Sequence, residues 1–234
     1  MYVVSVNVRF GGANVAERAG RIARSVKSRV PNFASALFFV QECSAGAMRA
    51  IRREVSSTHE AFARPNYRMH IGPFVATFVP RAWRDRGVSV SWRRAPYTKM
   101  RRDYHAIRVR AYEKKEKEKE KEEKEENETA ETEKEEEGGE KETEKEEKEE
   151  KKEEKEEETK KVTVYNVHLD SCKESRRTRE AQVRFIARET TGPFAILGDL
   201  NERAKHVSRG LETRVATWRV RGTDHKARLY RITL

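Results

Sequence analysis

Phe194-Ala195-Ile196-Leu197-Gly198-Asp199-Leu200-Asn201 begins with four apolar residues and then turns, across a single glycine, into an acid and an amide. A short apolar run of this kind reads as a buried strand, and polar groups at its end need partners or a purpose. Upstream, Ser175–Glu189 carries Ala181, Val183, Phe185 and Ile186 and reads as a helix. Before it, Val162-Thr163-Val164-Tyr165-Asn166-Val167-His168-Leu169 is strongly β-forming. Strand, helix and strand in succession predict an α/β domain.

The N-terminal half repeats the mixture. Residues 2–9 read as a buried strand, and Asn14 is placed to cap a helix reaching Val26, with Val15, Ala19, Ile22, Ala23 and Val26 on one face. The apolar run Ala34–Val40 ends in Gln41-Glu42, and a short helix follows over Ala45–Glu54. Between Tyr67 and Tyr112 the pieces Val75–Val79, Val88–Trp92 and Tyr104–Val109 predict an antiparallel meander. At the C-terminal end Ala216–Arg221 and Ala227–Leu234 read as strands bracketing Gly222-Thr223-Asp224-His225.

From Glu113 to Lys161, 41 of 49 positions are Glu or Lys, too polar to enter a core. The expected organisation is one domain over 1–112 and 162–234 with a low-complexity insertion at 113–161 that enlarges a hairpin loop and is disordered or partly helical. With 15 Lys and 26 Glu the insertion carries −11, so the net +11 of the whole chain leaves +22 on the remainder. That excess favours polyanionic partners: nucleic acid, an anionic lipid headgroup or a phosphorylated small molecule. Two cysteines, Cys43 and Cys172, make no disulfide framework and no thiolate metal site. No run approaches the roughly 18 apolar residues of a membrane span, and the opening strand does not resemble a signal peptide. A cytoplasmic or nuclear protein is expected.

Several apolar runs end in the same way: Asn7 after Val3–Val6, Glu42 after Leu37–Val40, Asn166 and His168 within Val162–Leu169, and Asp199 and Asn201 after Phe194–Leu197. Alternation along a strand puts Asn166 and His168 on one face. Carboxylates, amides and imidazoles at the ends of buried strands predict one polar pocket on a rigid floor.

Ser5-Val6-Asn7-Val8-Arg9, Val40-Gln41-Glu42, Asn166-Val167-His168-Leu169, Gly198-Asp199-Leu200-Asn201 and Thr223-Asp224-His225 together resemble, in order, the motifs of the endonuclease/exonuclease/phosphatase (DNase I-like) superfamily. The resemblance implies a four-layer α/β/β/α sandwich of two mostly antiparallel mixed sheets. It also implies a metal-dependent phosphoesterase, with Glu42 as main ligand of Mg²⁺ or Mn²⁺ and Asn7 and Asp224 supporting the metal or its waters. Asp199 would orient or deprotonate the attacking water, Asn201 and Asn166 would hold phosphoryl oxygens, and His168 and His225 would donate to the phosphate. Nucleic acid is the expected substrate. The alternatives are a lipid or inositol phosphate phosphatase of the same fold and a catalytically degenerate nucleic-acid-binding protein. The chain departs from the pattern between Asp199 and Asp224, where no Asp is present to orient His225 and Glu212 is the substitute considered. For the substrate-contacting tyrosine and a second acid, Tyr67, Glu54 and Glu60 are candidates. The Arg and aromatic residues of Trp83–Arg86, Trp92–Arg94 and Tyr97–Tyr104 suit a phosphate backbone or stacked bases.

Overall fold

The computed structural model describes residues 1–66, 72–94, 103–111, 160–171, 175–201, 206–220 and 223–233. Residues 113–159 of the insertion, Tyr67, the segment 95–102 and Cys172 lie outside them, while Lys160 and Lys161, expected in the insertion, begin a strand. The chain divides into a unit of Met1–Arg110 with Lys161–Leu234, which holds the helices and both sheets, and a second of Ala111–Lys160.

Its elements run β1 (Tyr2–Asn7), α1 (Val15–Arg29), β2 (Ala36–Cys43), α2 (Ala45–Val55), β3 (His59–Ala63), β4 (Phe74–Pro80), β5 (Ser89–Arg94), β6 (Asp103–Ala111), β7 (Lys160–His168), α3 (Arg176–Arg188), β8 (Phe194–Asp199), β9 (Val207–Arg209), β10 (Glu212–Arg219) and β11 (Lys226–Thr233). One sheet has the order β10-β11-β1-β2-β4-β3 and the other β5-β6-β7-β8-β9. Parallel pairs β1–β2 and β7–β8 lie inside otherwise antiparallel neighbours. Both parallel pairs are joined through a helix, as such a connection requires. Alternation sorts the side chains. Val4, Val6, Phe38 and Val40 point to the layer of α1 and α2, packing with Ile22, Val26 and Ile51. Tyr165, Val167 and Ile196 point to the layer of α3 and pack with Ile186. The opposite faces of the sheets meet each other, giving the four-layer α/β/β/α sandwich. Among the described residues no helix is long and apolar enough to cross a membrane.

Three local expectations are corrected. Asn14 precedes α1 in left-handed conformation and makes no side-chain cap bond. The stretch expected to form one meander changes sheets: β4 pairs with β3 and β2, whereas β5 and β6 form a hairpin in the other sheet. Local β propensity is blind to this, because either sheet satisfies it. Strand β3 is an addition to the expected elements: His59-Glu60-Ala61-Phe62-Ala63 has one large apolar residue and no β-branched one, so its β signal is weak.

Polar residues run through the space between the sheets. Gln41 Nε2 donates to Asn166 Oδ1 at 2.7 Å, Asn166 Nδ2 donates to the Ala76 carbonyl at 2.8 Å and to Thr77 Oγ1 at 3.1 Å, and Thr77 Oγ1 meets His105 Nδ1 at 2.8 Å. Burial pushes the His105 imidazole down from 6.5 to about 3, so it is neutral in the fold. Below about pH 6.5 the unfolded chain therefore binds a proton that the native state refuses. Stability from this group is complete above that value and is lost as pH falls towards 3, by up to about 1.4 kcal/mol per pH unit. Urea unfolding midpoints from pH 7.5 to 4.5 should fall accordingly, and His105→Gln should flatten the dependence. An unchanged slope in that variant would show that His105 is not the group responsible.

Candidate active site

The ends of β1, β2, β7 and β8 and the turn before β11 supply the site. Asn7 Nδ2 donates to Glu42 Oε1 at 3.0 Å and to Asp199 Oδ2 at 2.8 Å, clamping two carboxylates from different sheets. His168 Nε2 lies 3.6 Å from Glu42 Oε1 and 3.9 Å from Asp199 Oδ2, and His225 Nδ1 lies 3.3 Å from Asp199 Oδ2. Thr223 fixes the turn that carries His225: its hydroxyl donates to the Asn7 carbonyl at 2.9 Å and accepts from the His225 amide at 3.1 Å.

Backbone irregularities aim these groups. Simple alternation in β2 would send Glu42 to the helix side with Phe38 and Val40. The β2–β4 register instead shifts between Val40 and Cys43, and Glu42 has φ +53°. A bulge of this kind redirects a side chain. Glu42 then meets Asn7, and its Oε2 accepts from the Phe10 amide at 2.9 Å. The loop supplying that amide is braced by Arg18, which donates to the carbonyls of Arg9, Gly11 and Ala13. Asn201 also has positive φ, +50°; its amide N–H donates to Asp199 Oδ1 at 3.1 Å and its Nδ2 to the Leu169 carbonyl at 2.7 Å. Non-glycine residues held in this region concentrate where function over-determines the backbone.

The structure brings Asn7, Glu42, His168, Asp199, Asn201 and His225 together but does not bring Asn166 to the surface of the site. Asn166 shares a face with His168 but sits one pleat deeper, roughly 7 Å along the strand. It is fully buried with both ends of its amide engaged, so contact with a phosphoryl oxygen is replaced by a place in the network behind the pocket. Asp224 is exposed and faces Arg9 Nη1 at 3.7 Å and His225 Nε2 at 3.8 Å. Glu212 cannot orient His225: it pairs with Arg214 and lies opposite Thr233, at the far end of the β10–β11 ladder. Asp199 is the nearer of the two carboxylates beside that imidazole, at 3.3 Å against 3.8 Å for Asp224. Glu54 pairs with Arg24 on the helix layer, and Glu60 with Arg84. Trp83 is buried and unavailable for stacking, and Trp92 Nε1 donates to Asp103.

Behind these residues a small polar cavity of about 30 Å³ is lined by Ser5, Gln41, Asp199, His225 and Arg228 among others. Arg228 Nη1 donates to the Gly198 carbonyl at 2.8 Å, placing a guanidinium in the wall beside Asp199. The motifs do not include Arg228, and Ser5 enters them only as the start of the block around Asn7; inward-facing parity on β11 and β1 is the available signal for both. Burial by itself would push the Asp199 carboxyl up, but the charges of His168 and His225, the Asn7 amide and the Asn201 N–H together hold it below the ordinary value. It is a standing anion at neutral pH, better suited to orienting a water than to taking its proton.

Among the described residues no three His, Cys, Asp or Glu side chains close on one point as a metal cage. The donors nevertheless suit a hard cation that keeps most of its water, which needs only one or two carboxylates. Glu42, with its side chain 23% exposed, offers such oxygens. Asn7 presents its nitrogen to the carboxylates while its oxygen accepts from the Arg9 amide at 2.8 Å. In this arrangement it holds Glu42 rather than acting as a ligand itself.

No family model matches the sequence, and no curated protein matches it. Solved structures do. The endonuclease/exonuclease/phosphatase from Bacteroides vulgatus superposes with a TM-score of 0.58 at 11% identity, over 100% of this chain and 98% of that one. This chain has the endonuclease/exonuclease/phosphatase fold. A humanized D. rerio TDP2 carrying 14 mutations superposes on the same fold with a TM-score of 0.64 at 12% identity, over 100% and 99% of the two chains. D. rerio TDP2 complexed with a single-strand DNA product gives 0.53 at 16% identity, over 87% of this chain and 62% of that one. In this endonuclease/exonuclease/phosphatase fold the polar cluster around Asp199 lies where strands of both sheets end together.

Proposed function

We propose that this chain is a divalent-metal-dependent phosphodiesterase that hydrolyses nucleic acid. The observation that carries the proposal is the convergence of an amide and two imidazoles from three separate strand ends or turns on the two carboxylates Glu42 and Asp199. Bound Mg²⁺ or Mn²⁺ would supply Lewis-acid stabilisation of the phosphoryl oxygens. Glu42 would hold the ion, with the Asn7 and Phe10 N–H groups fixing the carboxylate and Asp224 contributing through water. Asp199 orients the attacking water. His168, His225 and Asn201 donate to the phosphoryl oxygens as their negative charge grows, a role that fixed donors in a partly dry site perform at little reorganisation cost. Asn166 acts through Gln41 as a positioning residue.

The +22 charge outside the insertion suits nucleic acid as one of the polyanionic partners. The complex of D. rerio TDP2 with a single-strand DNA product, which shares this fold, supports the same reading.

The test is hydrolysis of labelled single- and double-stranded DNA and RNA with Mg²⁺, with Mn²⁺ and with chelator, beside inositol phosphates and phosphoinositides. Cleavage of nucleic acid that chelator abolishes is the expected result. Turnover confined to the inositol compounds would assign the alternative phosphatase activity. Tight nucleic-acid binding with no turnover of any substrate would assign a degenerate binding protein.

A further inference from the structure

An open groove of about 730 Å³ lies against α2 and is lined by Ala16 of α1 and by Gly46, Arg49, Arg52, Arg53 and Ser56. Gly46, Arg49, Arg53 and Ser56 follow one another at spacings of three and four, so they form one stripe along the helix. The helices approach closely there because the residues at their contact are small: a Cβ on Gly46 would lie 3.7 Å from that of Ala16.

The carboxylates of these helices are engaged elsewhere. Glu17 pairs with Arg21, and Glu54 with Arg24. Among the described residues no ion-pair partner stands opposite Arg49, Arg52 or Arg53, and all three are exposed. Arg52 and Arg53 lie in the last turn, where the helix dipole favours cations, but Arg49 stands three and four residues before them, and like charges at those spacings repel at a cost. An anion bound across them would reverse that cost.

We infer that this groove binds the phosphate backbone of the substrate strand, away from the group being hydrolysed. The inference rests on the nucleic-acid reading above and names how an extended strand is held. Helix α2 starts three residues after Glu42, so the stripe leads away from the site. Arg49 to Arg53 spans about 6 Å of helix rise, and their long side chains widen that reach. The three guanidiniums can therefore meet the phosphates of two or three successive nucleotides. A membrane surface fits less well, because the lining includes no large apolar side chain to enter the headgroup boundary.

The test uses the full chain carrying Glu42→Gln to silence turnover, with and without Arg49→Gln, Arg52→Gln and Arg53→Gln together. Fluorescence anisotropy with single strands of 4 and 12 nucleotides is recorded across a salt series. Glutamine keeps helix propensity, and circular dichroism checks the fold. Three lost contacts should reduce the slope of log affinity against log salt by about 2 for the 12-mer. At low salt its affinity should drop at least tenfold, with binding of the 4-mer unchanged. A single charge reversal, Arg53→Glu, should move the 12-mer in the same direction.

Equal affinity of the triple variant and its parent for the 12-mer would overturn the inference, as would equal loss for both lengths. Loss of binding to phosphatidylserine vesicles alone would overturn it in favour of a membrane. The proposed activity is scored separately on the chain with Glu42 intact. Nucleic-acid cleavage with no length-dependent effect of the arginines sinks only this inference, while arginine-dependent 12-mer binding without cleavage sinks only the activity.

Discussion

Glu42→Gln and Asp199→Asn should each lower kcat on the best nucleic-acid substrate by at least about a thousandfold, since in the proposed chemistry each removes a group acting directly on the reacting charge. The two losses have different causes. Glu42→Gln retains an oxygen near the Phe10 amide but carries no charge there, so this variant should need far more Mg²⁺ or Mn²⁺ and recover partly at high metal concentration. Asp199→Asn keeps the size of the side chain and loses the anion around which Asn7, His168 and His225 are arranged; added metal should not restore it. At neutral pH the same substitution removes stabilisation associated with the lowered Asp199 pKa. That contribution is complete above about 3.9 and disappears only as pH falls through the lowered folded value. Steady-state kinetics over a metal titration, with thermal melts as a control for folding, separate these effects. Either variant keeping more than about a tenth of the parent kcat would remove its residue from the proposed chemistry.

Much of this site was legible in the sequence because its residues break local rules. An acid after Phe194–Leu197 and an amide after Val3–Val6 have no use in a core, and their repetition at the ends of buried strands pointed to a shared pocket. Period-two alternation also put His168 on the same face as Asn166. It could not report depth. Asn166 has the same parity as His168 and looked equivalent, yet one further pleat takes it into the buried network with Gln41 and Thr77. Alternation failed outright for Glu42, which reaches the site only because β2 shifts register and the residue adopts positive φ. The bulge is a tertiary compromise between β2 and β4 with no glycine to announce it. Sheet membership was similarly hidden. The pieces from β4 to β6 were readable as strands, but which sheet each joins depends on partners distant in sequence. The motif spacing points to the residues between Asp199 and Asp224 for an orienting partner of His225, whereas the nearer carboxylate is Asp199 itself.

Gly198 shows how tightly backbone packing and the site are joined, and Gly198→Ala should be the most damaging of the glycine-to-alanine changes at Gly11, Gly12, Gly20, Gly46, Gly87, Gly192, Gly198 and Gly210. Its φ is +116°, in a region that L side chains rarely enter, and an added Cβ would lie 2.3 Å from the Val167 carbonyl oxygen and 3.0 Å from the Val167 nitrogen. Both obstacles are backbone of the neighbouring strand β7, paired with Gly198 in parallel register, so no rotamer change relieves the contact. Separating β7 from β8 would also pull Asp199 away from His168 and disturb the Arg228 bond to the Gly198 carbonyl. The expected cost is about 3 kcal/mol or more, combining backbone strain with displacement of a packed strand. Gly192→Ala is the control: its φ is +81°, but the nearest obstacle to a Cβ there is the Lys161 carbonyl at 3.7 Å, so only the conformational penalty of about 1–2 kcal/mol applies. Urea unfolding should rank the parent above Gly192→Ala and Gly192→Ala above Gly198→Ala. Gly198→Ala should also lose activity under conditions where most of its molecules remain folded, because the methyl displaces the strand that presents Asp199. Parent-like stability in Gly198→Ala would mean that β7 and β8 can separate without cost, and the close approach would then have no part in holding the two halves of the site together.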